Sequence, residues 1–126
     1  MTASPAFAAN PGHIITITPE PARVTVRFKG EVVADSMRAL RLQEASCPAG
    51  LYIPRDDLKL ERFIETSRQT KCPFKGTARY WTLTGENGEA VNAVWGYDNP
   101  FDQVAGIDRH VAFYPDQVEI AAGWGS

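Results

Sequence analysis

Apolar and polar residues alternate with a period of two through most of this chain, and that pattern fixes its class as mainly β. In RVTVRF, residues 23–28, Val24, Val26 and Phe28 fall on one side while Arg23, Thr25 and Arg27 fall on the other. This is the mark of a strand with one wet face. HIITIT at 13–18 alternates in the same way, so 13–18 and 23–28 read as a hairpin joined through PEPA. Further strands are expected at 31–36 after the Lys29-Gly30 turn, at 38–44, at 50–53, and at 77–84 and 89–97. The last two flank Gly85-Glu86-Asn87-Gly88, the clearest hairpin signal in the chain. VAFYP and QVEIA supply two short closing strands, and 61–66 leans toward strand. Helix is confined to single turns at 55–59, where Asp56-Asp57 reads as a turn cap, and at 101–105 after Asn99-Pro100.

A chain of 126 residues that is 44% hydrophobic suits one domain, which at this size buries roughly two-thirds of its unfolded surface in a single core. Residues 1–12 read as a flexible tail, 13–121 as the domain and 122–126 as a C-terminal tail. MTASPAFAANPG lacks a basic region followed by a long apolar one, so neither a secretory signal nor a membrane span is expected and the cytoplasm is the default location. Cys47 and Cys72 form no CxxC and no metal knuckle, and with His13 and His110 they make a poor ligand set. Two free thiols, no metal and no cofactor are the expectation.

Charge is unevenly spread. Between Arg23 and Arg79 stand 12 basic and 7 acidic residues, and from Tyr80 onward 1 basic and 7 acidic. The excess is too mild for a nucleic-acid binder, and no nucleic-acid motif is present. It suits a cleft that attracts a small anion.

Four ordered motifs, LYIPRDDL, TKCPFKGTARY, VWGYDNPF and HVAFYPDQVEI, closely resemble a bacterial family catalogued as domain of unknown function 427 and sometimes labelled nucleotidyltransferase-like. The resemblance runs from about His13 to Ile120. It implies a β-tent-like fold, two antiparallel sheets meeting at an angle, similar to zinc-binding methionine sulfoxide reductases and the ligand-binding domain of cereblon. The paired CxxC motifs of those zinc-bearing relatives are missing, so their metal does not carry over. Nor do the motifs support nucleotidyl transfer, which needs acidic metal ligands near a phosphate-cradling glycine loop.

The candidate site residues follow from local chemistry. Pro54 ends the strand 50–53 and projects Arg55 from a rim, either as a partner of Asp56 or Asp57 or as a bidentate clamp on a carboxylate or phosphate. Pro73 and Gly76 bracket a tight turn that presents Lys75, with Gly76 at positive φ. Substituting Lys75 by alanine is expected to leave the fold alone. Lys71 and Lys75 flank Cys72, a candidate nucleophile or a buried filler. Ala93, Trp95 and Tyr97 share one face of the strand 89–97, and Tyr80 and Trp81 take opposite faces across the hairpin. With Tyr52 and Tyr114 at strand ends, these aromatics meet the Arg55–Lys75 rim if the tent closes as the resemblance implies.

Three functions from different classes follow. The favoured one is a binding module for a small anionic or planar molecule, held by Arg55 and Lys75 and stacked on Tyr80, Trp95 and Tyr97. A thiol-dependent enzyme using Cys72 and a structural or partner-binding protein are the alternatives. The oligomeric state is not legible.

Overall fold

The computed structural model describes residues 3–10, 12–44 and 49–122. Among them ten strands form: β1 (Ile15–Pro19), β2 (Val24–Phe28), β3 (Glu31–Ser36), β4 (Leu40–Glu44), β5 (Gly50–Pro54), β6 (Phe63–Cys72), β7 (Gly76–Gly85), β8 (Gly88–Tyr97), β9 (His110–Phe113) and β10 (Glu119–Ala122). They make a seven-stranded sheet in the order β1-β4-β5-β9-β8-β7-β6 and a three-stranded sheet in the order β10-β2-β3. All strand pairs are antiparallel. The mainly β class with two antiparallel sheets is therefore correct, and among the described residues helix is limited to Pro5–Ala9 and three short 3-10 segments.

Turn chemistry sets the strand pairing. Lys29 (φ 48) and Gly30 (φ 87) both take positive φ, as a tight turn between twisted strands demands, and Phe28 pairs with Glu31. Gly85 pairs with Gly88 across Glu86-Asn87 as expected. β6 runs on to Cys72, and its hairpin with β7 turns through Pro73, Phe74 and Lys75 before Cys72 pairs with Gly76. Gly76 has φ 122, a conformation that side chains rarely adopt. Gly76→Val is expected to cost about 1 kcal/mol or more. Thermal unfolding checks it; a melting temperature equal to wild type would remove the tight-turn argument.

PEPA does not close a hairpin. β1 pairs with β4 and β2 with β3, so the four residues carry the chain from one sheet to the other. Pro19 and Pro21 deny this segment two amide donors. The Glu20 carboxylate turns back to accept from the Ala22 amide at 3.1 Å and from Arg41 of β4 at 2.8 Å, while the Glu20 amide donates to the Ala39 carbonyl. These bonds tie the end of β1 to the β4 side.

Within residues 3–10, Pro5–Ala9 forms a short helix. Pro5 at the first helical position and the alanines after it favour a short helix. The buried Ser4 fastens it, donating from Oγ to the Pro73 carbonyl at 2.6 Å and from its amide to Gln103 at 3.1 Å. At the other end Ala122 belongs to β10, and 123–126 lie outside the described residues.

Two apolar clusters lie on the two faces of the large sheet. One joins it to the small sheet through Val24, Val26, Phe28, Val33, Ile53, Trp81, Leu83, Val94, Val111 and Phe113. The other, on the far face, gathers Leu42, Tyr52, Ala78, Tyr80, Tyr97 and Ala112 beneath Val104 and Ile107 of the 3-10 segment Asp102–Ile107. Strand alternation explains the division: Tyr52 faces one cluster and Ile53 the other, as do Tyr80 and Trp81. Ala93 departs from this pattern. Asn92 has φ 54, and the β7–β8 register shifts between Trp81 and Leu83. In this bulge three residues of β8, 91–93, stand opposite Thr82 alone, and Ala93 joins Val94 in the inter-sheet core while Trp95 and Tyr97 face the tyrosine cluster.

Candidate functional site

The far face of the large sheet gathers most of the residues that carry chemistry. β5 brings Tyr52, β7 brings Tyr80, β8 brings Trp95 and Tyr97, and the end of β6 brings Cys72 to one cluster. Tyr52, Tyr80 and Tyr97 are buried. The indole N–H of Trp95 donates to the Tyr52 hydroxyl at 3.4 Å, and its ring lies 4.5 Å from that of Tyr114. Tyr80 exchanges a hydrogen bond with Thr70 at 2.9 Å and another with Tyr114. Arg68 sits 4.8 Å from the Tyr80 ring centroid. Among the described residues the Tyr97 hydroxyl has no side-chain partner.

Lys75 reaches this face from the β6–β7 turn. Its Nζ donates to Glu44 Oε1 at 2.5 Å and stands 4.0 Å from Cys72 Sγ. The other oxygen of Glu44 lies 2.8 Å from His13 Nε2, whose ring stacks on Phe74 at 3.8 Å. The turn is held from below as well, because the Lys75 carbonyl accepts the Phe101 amide at 3.0 Å. The Lys75 and Glu44 side chains are only 11% and 19% exposed. Lys75 is thus a half-enclosed partner of Glu44 and not a freely presented cation, so its removal is expected to cost stability.

Burial and charge act against each other here. Burial opposes the charge on Glu44, yet its bonds from Lys75 and His13 hold its carboxyl below the usual glutamate range. Burial likewise opposes the charge on Lys75, but Glu44 with the nearby Cys72 and Tyr52 keeps its pKa above that of an ordinary lysine. Burial pushes the phenols of Tyr52 and Tyr97 up, Tyr97 the further. Tyr80 moves the other way: burial resists its ionisation, but Thr70, Tyr114 and Arg68 bring its pKa down.

The sign of the Glu44 shift gives a prediction. A carboxyl with a lowered folded pKa stabilises the fold fully above its unfolded pKa near ~4.3 and loses that contribution as pH falls through the folded value. The melting-temperature gap between wild type and Glu44→Gln is expected to be constant above about pH 5 and to narrow as pH drops below about 4. A gap that stays constant down to pH ~2 contradicts the paired Glu44.

Arg55 stands apart from this assembly. Its Nη1 donates to Asp98 at 2.8 Å and its guanidinium lies 5.6 Å from the Trp81 ring centroid. Trp81 belongs to the inter-sheet core, so Arg55 follows the opposite face and does not share a rim with Lys75. The expected bond to Asp56 or Asp57 is absent. Asp57 instead accepts from Ser36 Oγ at 2.6 Å and from Arg38 at 2.8 Å, and the 3-10 turn Arg55–Asp57 has no side-chain cap. Asp57 therefore anchors the end of β3, and neither aspartate makes a side-chain cap.

A depression of about 400 Å³ opens at the edge of the tyrosine face, lined by Lys71, Cys72, Pro73, Gly76, Thr77 and Phe101. Cys72 is half-buried with a free thiol; Cys47, and with it any judgement on the pair, lies outside the described residues. Lys71 is exposed and has no acidic partner among the described residues. Reading the sequence finds Tyr52, Cys72, Lys75, Tyr80, Trp95, Tyr97 and Tyr114, all of which meet on this face. It misses Glu44, Thr70 and Phe101. Glu44 ends an alternating strand and Phe101 follows a proline, and neither carries a local mark of its partner. Among the described residues no group of three or more His, Cys, Asp and Glu side chains is placed to hold a metal, and no helix is long and apolar enough to cross a membrane.

A two-sheet β domain with a lysine–glutamate pair, a thiol and a tyrosine cluster beside a small depression defines a class: a compact scaffold with one chemically mixed sheet face. The chain belongs to the family described as a domain of unknown function, DUF427, whose sequence model matches residues 16–123. No curated protein matches the sequence.

Proposed function

We propose that this protein is a binding module for a small planar molecule carrying one anionic group, taken up in the depression beside Cys72. The observation that supports it is the lining itself. Pro73 and Phe101 offer flat apolar surface, Cys72 a polarisable wall, and Lys71 an uncompensated cation. Sites for small molecules are commonly apolar hollows with a few placed polar groups. The anion is assigned to Lys71, because the charge of Lys75 is already met by Glu44 and Arg55 lies on the other face. The Lys75–Glu44 pair acts behind the pocket, fixing the turn that carries Cys72 and Pro73.

Tryptophan fluorescence against aromatic carboxylates, sulfonates and nucleotides tests this. A saturable change is expected with wild type, weakened about tenfold in Lys71→Ala and lost in Phe101→Ala. Binding that ignores both substitutions overturns the reading.

One contact favours a second reading, a thiol-dependent enzyme. Lys75 Nζ is 4.0 Å from Cys72 Sγ, and a cation beside a partly exposed sulfur favours the attacking thiolate. Fast, saturable alkylation of Cys72 near neutral pH, slowed in Lys75→Met, is the expected sign. A rate equal to that of a free cysteine peptide excludes it.

A further inference from the structure

On the opposite side of the large sheet a second hollow of about 560 Å³ is bordered by Arg38, Arg55, Asp56, Leu60, Arg109 and His110, with Asp98 and Asp108 in its wall. The proposed function above does not use it. Several of its polar groups are fixed before any ligand arrives. Asp98 receives hydrogen bonds from both Arg55 and Arg79, and both guanidiniums rest near the Trp81 ring, 5.6 and 5.5 Å from its centroid. Arg79 is held further by Glu65 at 2.6 and 2.8 Å. Arg38 is bound to Asp57 through Nη2 at 2.8 Å. Such bracing removes part of the ordering cost that binding otherwise carries.

Hydrogen-bonding capacity in this hollow is left over in a particular pattern. Asp98 is the only side-chain hydrogen-bond partner of Arg55 among the described residues, so most of the Arg55 fork is unused. Arg109 makes no ion pair among the described residues. Its backbone is held at φ 60 by its amide on the Tyr97 carbonyl at 3.2 Å and by the Arg55 amide on its own carbonyl at 3.0 Å. A non-glycine residue held in that region is uncommon and often belongs to a site. The His110 ring bonds through Nδ1 to the Asp108 carbonyl at 2.8 Å. A carbonyl only accepts, so Nδ1 carries the proton and Nε2 of the neutral ring is an acceptor. Asp108 already accepts the Asn99 amide at 2.8 Å, whereas Asp56 is exposed and, among the described residues, makes no hydrogen bond or ion pair, only feeling the charge of Arg38 nearby.

We infer that this hollow binds a small hydroxylated carboxylate: its single charge lies on the forks of Arg55 and Arg109, and its hydroxyls donate to Asp56 and His110 Nε2. Guanidinium forks match a carboxylate in two parallel bonds. The nearby carboxylates of Asp56, Asp98 and Asp108 repel a multiply charged anion, which sets the preference for one charge. The volume is far larger than an inorganic ion needs and lies in the range of small-molecule sites.

Amide NMR titration with gluconate, with its uncharged counterpart sorbitol and with inorganic phosphate tests the assignment. Gluconate is expected to move the Arg55, Arg109 and His110 signals and to leave Cys72 and Thr77 still. Arg109→Asn keeps a residue that tolerates positive φ and is expected to weaken gluconate about tenfold or more. Asp56→Asn, at an exposed position, is expected to weaken it severalfold with unchanged melting temperature, so the test survives if the arginine variant does not fold. No shift in these signals, equal binding of sorbitol, tighter binding of phosphate, or unchanged affinity in Asp56→Asn each overturns the inference.

Discussion

Gly96→Val is expected to lower the melting temperature by roughly 10 °C, a loss of about 2–3 kcal/mol. Gly96 sits in β8 between Arg79 of β7 and Val111 of β9. A Cβ placed on it would stand 2.5 Å from the His110 carbonyl oxygen, 3.2 Å from Val111 Cγ1 and 3.4 Å from Trp81 Cζ3. The first of these atoms is backbone in a paired strand and cannot swing aside as a side-chain end can. Relief requires β9 to move away from β8, which breaks ladder bonds at the centre of the large sheet, or the Trp81 ring to lift from the core. Gly96→Ala already meets the same carbonyl and is expected to lose about half as much or more. Thermal unfolding followed by circular dichroism checks both; melting temperatures within about 2 °C of wild type contradict the packing described.

Lys75→Met is expected to cost about 2–3 kcal/mol, somewhat below a fully buried pair because both partners keep a little exposure. The cost comes mainly from what stays behind. Methionine fills the lysine stem, but Glu44 then keeps a half-enclosed charge with His13 Nε2 2.8 Å away. The double variant Lys75→Met with Glu44→Gln removes that stranded charge and is expected to lose at least 1 kcal/mol less than the two single losses added, by about the coupling of residues in direct contact. Denaturant unfolding of the four proteins measures this. Strict additivity would mean that the pair contributes nothing.

Strands were the most legible feature, because RVTVRF, EVVADS and TARYWTLT state their faces by alternation and the Lys29-Gly30 and Glu86-Asn87 turns join neighbours across a few residues. Pairings at long range were not. HIITIT and RVTVRF are adjacent in sequence and alternate alike, yet β1 finds β4, since a turn holding two prolines can serve as a crossover as well as a hairpin. The face of Ala93 is hidden for a similar reason: a bulge at Asn92 turns this residue inward, while Ala90 and Val94 on either side keep a common face. On the site, the motif TKCPFKGTARY with Trp95, Tyr97, Tyr52 and Tyr114 identified one sheet face, because aromatic residues in alternate positions of neighbouring strands must meet. Charge is harder to place. Arg55 and Lys75 look equivalent as cations on strand ends, but Arg55 continues β5 toward Trp81 while Lys75 bends back from the β6–β7 turn to Glu44, a partner that only the fold reveals.

The most direct measurement of the proposed binding role is the rate at which iodoacetamide alkylates Cys72 with and without naphthalene sulfonate, a flat ring bearing one negative charge. Cys72 and Lys71 line the same depression, so saturating naphthalene sulfonate is expected to slow alkylation about tenfold or more in wild type and to lose most of that protection in Lys71→Ala. An alkylation rate in wild type that does not respond to naphthalene sulfonate at any attainable concentration would contradict the assignment of this pocket.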